Sequence, residues 1–232
     1  MTPRHVGVIL DDGANRAGTD GPPEAEAYRR SCLKQLEIVE WCRAEGVSEV
    51  TLYIPPPTSP LADEELEAVW GEVLDQLRQD RAGIAPVTLH HLGDPALLPA
   101  ALAARLPGRT GPDSRNGHGF TVNLVLGYEG RNEIRDAVSS ILVAAQDESR
   151  SLAEAISGLD AEQLGAHLLT GTLPPIDLVI RTAGRRHLAG FLPWQAAYAE
   201  FHFTTASASE FARGDLTVAL ADYSRRNRRF GK

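Results

Sequence analysis

Two kinds of hydrophobic pattern alternate along this chain. Short continuous apolar runs fit strands buried on both faces, and apolar residues three and four apart fit helices with one buried stripe. His5 to Leu10 is the first run, and it ends at Asp11 and Asp12. A polar loop from Gly13 to Pro23 leads into a helix from about Glu24 to Glu45, with Cys32, Leu36 and Val39 on one face and Gly46 placed to end it. Val47 to Ile54 reads as a second strand, stopped by Pro55, Pro56 and Pro57. Leu66, Val69, Trp70, Val73, Leu74 and Leu77 mark an amphipathic helix. Val87 to Leu92 and Phe120 to Leu126 give the third and fourth strands. Ile134, Ala137, Val138, Ile141, Leu142 and Ala145 form the stripe of a further helix, and Leu178 to Arg181 is a fifth strand.

Strands alternating with helices over residues 1–232 predict a single α/β domain. Its central sheet is mostly parallel and covered by helices on both faces, with ligands at the carboxyl ends of the strands. Arg105 to Gly119, rich in glycine, proline and polar residues, reads as a surface loop rather than a domain linker. Asp11 and Arg181 both terminate strands, so the sheet can unite them across most of the sequence.

Composition changes this picture little. With 43% hydrophobic residues, a chain of 232 can bury a sizeable core. The net charge of -8 argues against general affinity for nucleic acid or anionic membranes. Cys32 and Cys42 share one predicted helix, about 15 Å apart along its axis, beyond the span of a disulfide. The start lacks a basic segment followed by a long apolar run, and no stretch reaches the roughly 20 apolar residues of a membrane span. A cytoplasmic protein without stable membrane insertion is expected, one that lipid products could bring to a membrane surface.

Candidate chemistry gathers at the strand ends. Asp11 and Asp12 follow an apolar strand and precede Gly13, a context in which carboxylates hold magnesium while backbone amides face a phosphate. A haloacid-dehalogenase phosphatase also opens with a strand and an aspartate, but its second aspartate falls where this chain has Gly13. Arg181 precedes a turn containing Gly184, and its planar guanidinium can donate two hydrogen bonds to diphosphate oxygens. Glu200 sits in an apolar, aromatic stretch, where a metal, an arginine or a backbone amide must compensate its charge.

The segment from Asp177 through Ile180, Arg181, Thr182, Ala183, Gly184, Phe191, Leu192, Pro193, Trp194 and Gln195 to Tyr198 and Glu200 resembles the carboxyl-terminal signature of the cis-prenyltransferases. Undecaprenyl diphosphate synthase is the familiar member. Other fragments agree in order: His5 to Asp11, Leu52 with Tyr53, Gly93 with Asp94, and Tyr128, Gly130 and Arg131. Tyr223 to Gly231 resembles the family's terminal helix, with Arg229 and Gly231 in its closing motif. The resemblance implies isoprenoid diphosphate substrates, a magnesium ion held by Asp11 and by Glu200 from the neighbouring subunit, and Arg181 gripping isopentenyl diphosphate. It also implies a homodimer whose Arg229 and Gly231 close over the partner's site.

The chain departs from the family at several positions. After Asp11 the loop reads Asp12, Gly13, Ala14, Asn15, Arg16, without the arginine that meets the allylic phosphate. Shifting by one residue puts Asp12 in the metal role, so the choice between the two aspartates stays open. Glu24 replaces a second phosphate-binding arginine, Tyr28 replaces a histidine, and Pro56 to Pro60 replace a serine, glutamate, asparagine, tryptophan stretch. His187 stands for an arginine and Ala189 for a serine, while Arg185 and Arg186 add charge nearby. The histidine-to-tyrosine change is similar to the lavandulyl-type branch, which joins short isoprenoid units irregularly. The sequence therefore points to a magnesium-dependent prenyltransferase acting on short isoprenoid diphosphates. Two alternatives remain beside it: a noncatalytic subunit of a heteromeric enzyme, and a terpene-cyclising enzyme on the same fold.

Overall fold

The computed structural model describes residues 1–11, 24–55, 61–79, 87–108 and 119–226. Six parallel strands form one sheet: β1 (His5–Ile9), β2 (Glu49–Tyr53), β3 (Val87–Leu92), β4 (Phe120–Val125), β5 (Leu178–Arg181) and β6 (Glu200–Phe203). Their order across the sheet is β3-β4-β2-β1-β5-β6. The helices are α1 (Glu24–Ala44), α2 (Asp63–Arg78), α3 (Ala100–Arg105), α4 (Gly130–Asp147), α5 (Leu152–Ser157), α6 (Ala161–His167) and α7 (Arg213–Arg225). Within the sheet every strand pair is parallel, where the sequence predicts a mostly parallel one.

Period-two alternation divides the strand side chains between two cores. Val6, Val8, Val50, Leu52, Val122, Leu124, Leu178 and Ile180 face one side, where α1, α2 and α7 contribute Cys32, Ile38, Trp70, Val73, Leu74, Leu216 and Ala219. Ile9, Tyr53, Leu92, Val125 and Val179 face the other, packed against Leu173, Ile176, Phe191, Leu192 and Ala196. Burial on both faces is why the central strands read as continuous apolar runs. Gly7 leaves room for Phe191 to lie on the β1 backbone, since a Cβ there would stand 2.9 Å from the Phe191 ring. A buried polar network ties α4 to this second face. Tyr128 Oη donates to Glu133 Oε2 at 2.6 Å, Thr170 donates to Glu133 Oε1 from its amide and its hydroxyl, and Gln195 Nε2 donates to Thr170 Oγ1 at 2.6 Å. Burial and the neighbouring Glu133 carboxylate push the Tyr128 hydroxyl above its ordinary range.

Helix ends follow the expected chemistry. Gly46 stands just past α1 at φ 77°, the left-handed geometry that glycine adopts without steric cost. Glu65 and Asp215 turn back to accept from the amides of Ala62 and Ala212, opening α2 and α7. The latter cap places the terminal helix at Arg213–Arg225, upstream of the expected Tyr223 to Gly231, of which only the first three residues are helical among those described. Cys32 and Cys42 are buried thiols not joined to each other, and burial pushes Cys42 up to about 12. No described helix is long and apolar enough to cross a membrane.

Candidate active site

β1 and β5 lie side by side with Ile9 opposite Arg181. The chain leaves β1 toward β2 on one side and leaves β5 toward β6 on the other, which opens a crevice at the carboxyl ends of these two strands. Asp11 and Arg181 meet there: Arg181 Nη2 donates to Asp11 Oδ2 at 2.8 Å. Thr182 fixes the Asp11 backbone from both sides, its hydroxyl accepting from Asp11 N at 2.7 Å and donating to Asp11 O at 2.8 Å. The Ala208 amide donates to the same carbonyl.

The Arg181 side chain is 1% exposed and that of Asp11 is 16% exposed. Burial lowers the Arg181 pKa from its ordinary value, the adjoining Asp11 carboxylate opposes that shift, and the guanidinium stays charged. Its Nε and Nη1 are buried and find no hydrogen-bond partner among the described residues. Two unsatisfied donors on a buried cation are a standing free-energy cost that an anion in the crevice removes. A diphosphate, with several oxygens able to accept from one planar fork, fits this need.

Tyr53 shares the row and face of Arg181, since Ile9 pairs with both. Its ring stacks on Phe191 at 5.7 Å between centroids, and its hydroxyl donates to Ala189 O at 3.1 Å. Burial pushes that hydroxyl up to about 12, with the Arg181 charge acting the other way. Arg185, Arg186 and His187 form an exposed turn that leaves Arg181, and Ala189 closes it at φ 51°.

Tyr28 is buried between α1 and α2, and Trp70 Nε1 donates to its hydroxyl at 3.2 Å. This candidate substrate-binding residue is thus joined to the apolar stripe of α2. Glu200 begins β6 and pairs in register with Leu178, which pairs with Val6. Asp11 lies five residues beyond Val6, so about 16 Å along the strand direction separates the two backbone positions within one chain. Arg226 donates to Glu200 at 2.9 Å and to Asp222 at 2.6 Å, so an arginine offsets the Glu200 charge. Asp12, Gly13, Ala14, Asn15, Arg16, Pro56 to Pro60, Arg229 and Gly231 lie outside the described residues.

Among the described residues no cluster of three His, Cys, Asp or Glu side chains stands ready to hold a metal. A carboxylate beside a buried cation still fits magnesium, which keeps water and phosphate oxygens as most of its ligands and needs only one or two carboxylates. Asp11 fits that part. Pattern reading missed Thr182, Tyr53 and Arg226. Thr182 and Tyr53 stood inside quoted motifs as strand-end polar groups, while Arg226 carried no local signal.

Comparison with known proteins places this arrangement. Residues 10–231 match the undecaprenyl diphosphate synthase family. The chain is 38% identical to "Isoprenyl transferase 1" of Corynebacterium efficiens over 235 residues, covering 99% of this chain and 90% of that protein. It is 34% identical to "(2Z,6E)-farnesyl diphosphate synthase" of Mycolicibacterium smegmatis over 232 residues, covering 99% and 88%. A crystal structure of lavandulyl diphosphate synthase from Lavandula x intermedia, in complex with dimethylallyl diphosphate, superposes with a TM-score of 0.83 at 25% identity, covering 100% of this chain and 99% of that one. With the strand order and the Asp11–Arg181 crevice on the same scaffold, the chain belongs to the undecaprenyl diphosphate synthase family and is a prenyltransferase of the cis-prenyltransferase fold.

Proposed function

We propose that this chain is a magnesium-dependent, short-chain cis-prenyltransferase that joins short isoprenoid diphosphates and releases pyrophosphate. The observation that carries the reading is Arg181, a buried guanidinium with two unpartnered donors beside the Asp11 carboxylate at the mouth of the sheet. In this chemistry an allylic diphosphate ionises, a carbon–carbon bond forms to the double bond of the second unit, and proton loss leaves a cis double bond. Arg181 holds one diphosphate by its free donors, and those bonds strengthen where negative charge grows on pyrophosphate oxygens. Asp11 is the residue to hold magnesium, which when bound neutralises diphosphate charge. Thr182 keeps Asp11 in place, and the buried Phe191 and Tyr53 exclude water from beneath Arg181.

Glu200 enters such a site only from a second copy, because one chain separates it from Asp11 by about 16 Å. Exposed Trp194, Tyr198 and Phe203 lie close to it in sequence and supply apolar surface for that contact. A homodimer is therefore part of the proposal.

A second reading, irregular coupling of two allylic units, is supported by the full-length likeness to lavandulyl diphosphate synthase and by Tyr28, His187 and Ala189 at the altered positions. One experiment tests both. The purified chain is incubated with magnesium and dimethylallyl, geranyl and isopentenyl diphosphates, singly and in pairs, with products and pyrophosphate measured. A linear cis product needing isopentenyl diphosphate supports the first reading. A branched C10 product from dimethylallyl diphosphate alone supports the second, and a cyclic product from one substrate supports a cyclising enzyme. No product without a second homologue supports an accessory subunit.

A further inference from the structure

The segment after Arg181 holds an unusual concentration of left-handed backbone. Ala183 at φ 60°, Ala189 at φ 51° and Leu192 at φ 30° all carry side chains in a region that L-residues seldom occupy. Such geometry persists only where surrounding structure over-determines it, and it gathers at ligand-binding sites. Here the restraints can be named. The Ala183 amide donates to Ala206 O at 2.7 Å and the Gly184 amide to Thr204 O at 2.8 Å, which anchors the outgoing limb on the segment after β6. On the returning limb, Tyr53 Oη donates to Ala189 O at 3.1 Å, the Gly130 amide donates to Gly190 O at 3.0 Å, and Phe191 is wedged over Gly7 with no exposed surface. Between the two limbs stands the exposed run Arg185, Arg186, His187, and the charge of Arg185 is felt at Arg181.

We propose that Tyr53 is a positioning residue for diphosphate binding: by holding the Ala189 carbonyl, its hydroxyl keeps the strained turn closed and the Arg185–His187 tip beside Arg181. This rests on the reading of the crevice as a diphosphate site. Tyr53 needs no contact with substrate. Its position at the last residue of β2, one strand from β1, gives the hydroxyl a rigid platform, and stacking on Phe191 fixes the ring. The pair Tyr53 and Ala189 thus sets how much cationic surface the turn offers.

The test measures the affinity of the full chain for magnesium pyrophosphate by calorimetry, together with steady-state kinetics. Tyr53→Phe keeps the ring and its stacking but deletes the donor, and is expected to weaken pyrophosphate binding about 5-fold to 10-fold and to raise KM for a diphosphate substrate more than it lowers kcat. Adding Ala189→Gly, which adopts the same backbone without strain, is expected to restore affinity to within about 2-fold. A role confined to core packing predicts a lower melting temperature, no change in pyrophosphate affinity and no rescue at position 189. Unchanged affinity in Tyr53→Phe, or failure of Ala189→Gly to restore it, overturns the positioning role while leaving the crevice a diphosphate site. Absence of pyrophosphate binding by the unaltered chain overturns both.

Discussion

Arg181 carries two buried donor nitrogens without hydrogen-bond partners among the described residues, and replacing it should separate ligand binding from the stability of the empty protein. In Arg181→Met an unbranched apolar side chain of similar length fills the space of a residue that is 1% exposed. The substitution removes two buried donors without partners, each costing roughly 1–3 kcal/mol in the folded state, and forfeits one charge-assisted bond to Asp11 contributing about 1.5–3 kcal/mol. The Asp11 side chain keeps 16% of its surface, so water reaches it when the guanidinium is gone. These magnitudes place the ligand-free variant between about 1 kcal/mol less stable and about 4.5 kcal/mol more stable than the parent. Pyrophosphate binding behaves oppositely. At a magnesium pyrophosphate concentration of 100 Kd the parent gains about 2.7 kcal/mol, and the variant at the same concentration should gain almost none. Urea unfolding with and without magnesium pyrophosphate measures all four stabilities. A variant destabilised by more than about 2 kcal/mol, or one that pyrophosphate still protects, would refute the claim that the orphaned donors of Arg181 await a diphosphate.

Asp11→Ala should lower kcat/KM for pyrophosphate release by on the order of 100-fold or more, and by more than Asp12→Ala; the reverse ranking moves the metal carboxylate one residue along the chain. His5 is buried between Thr51 Oγ1 and Pro174 O, and burial lowers its pKa, so the unfolded chain takes up a proton below the ordinary value of 6.5 that the folded chain refuses. Stability is therefore full above that pH and declines as pH falls below it, by at most about 1.4 kcal/mol per unit for this group. His5→Gln should narrow its stability gap to the parent between pH 7 and 5, and a constant gap sinks the argument. Burial raises Cys42 to about 12, so an Ellman titration at pH 8 should find it unreactive until denaturant is added.

Much of this was legible because buried parallel strands leave a strong imprint on sequence. β5 coincides with the apolar run Leu178 to Arg181, since a strand covered on both faces admits little else, and β3 coincides with Val87 to Leu92 although it is an edge strand carrying Thr88, His90 and His91. β6 escaped the same reading because Glu200, Phe201, His202 and Phe203 alternate in polarity, as suits an edge strand only partly covered. The helices α3, α5 and α6 were missed for a different reason: each is six or seven residues long and too short for a helical stripe to register. At the site, Asp11 and Arg181 could be paired from their strand-end positions alone. The Tyr53 and Thr182 hydrogen bonds could not, because each depends on a partner more than 130 residues away whose backbone geometry no local pattern encodes.

Asp11 and Arg181 are 170 positions apart in the chain, yet adjacent in the folded sheet. A ribosome-bound fragment ending before β5 has made its first three quarters and still lacks Arg181. The Asp11–Arg181 pair is consequently completed only after β5 has docked beside β1. Pyrophosphate should then stabilise only the completed product of folding, which would make it a selective additive for rescuing poorly folding variants and a stringent reporter of which ones have finished.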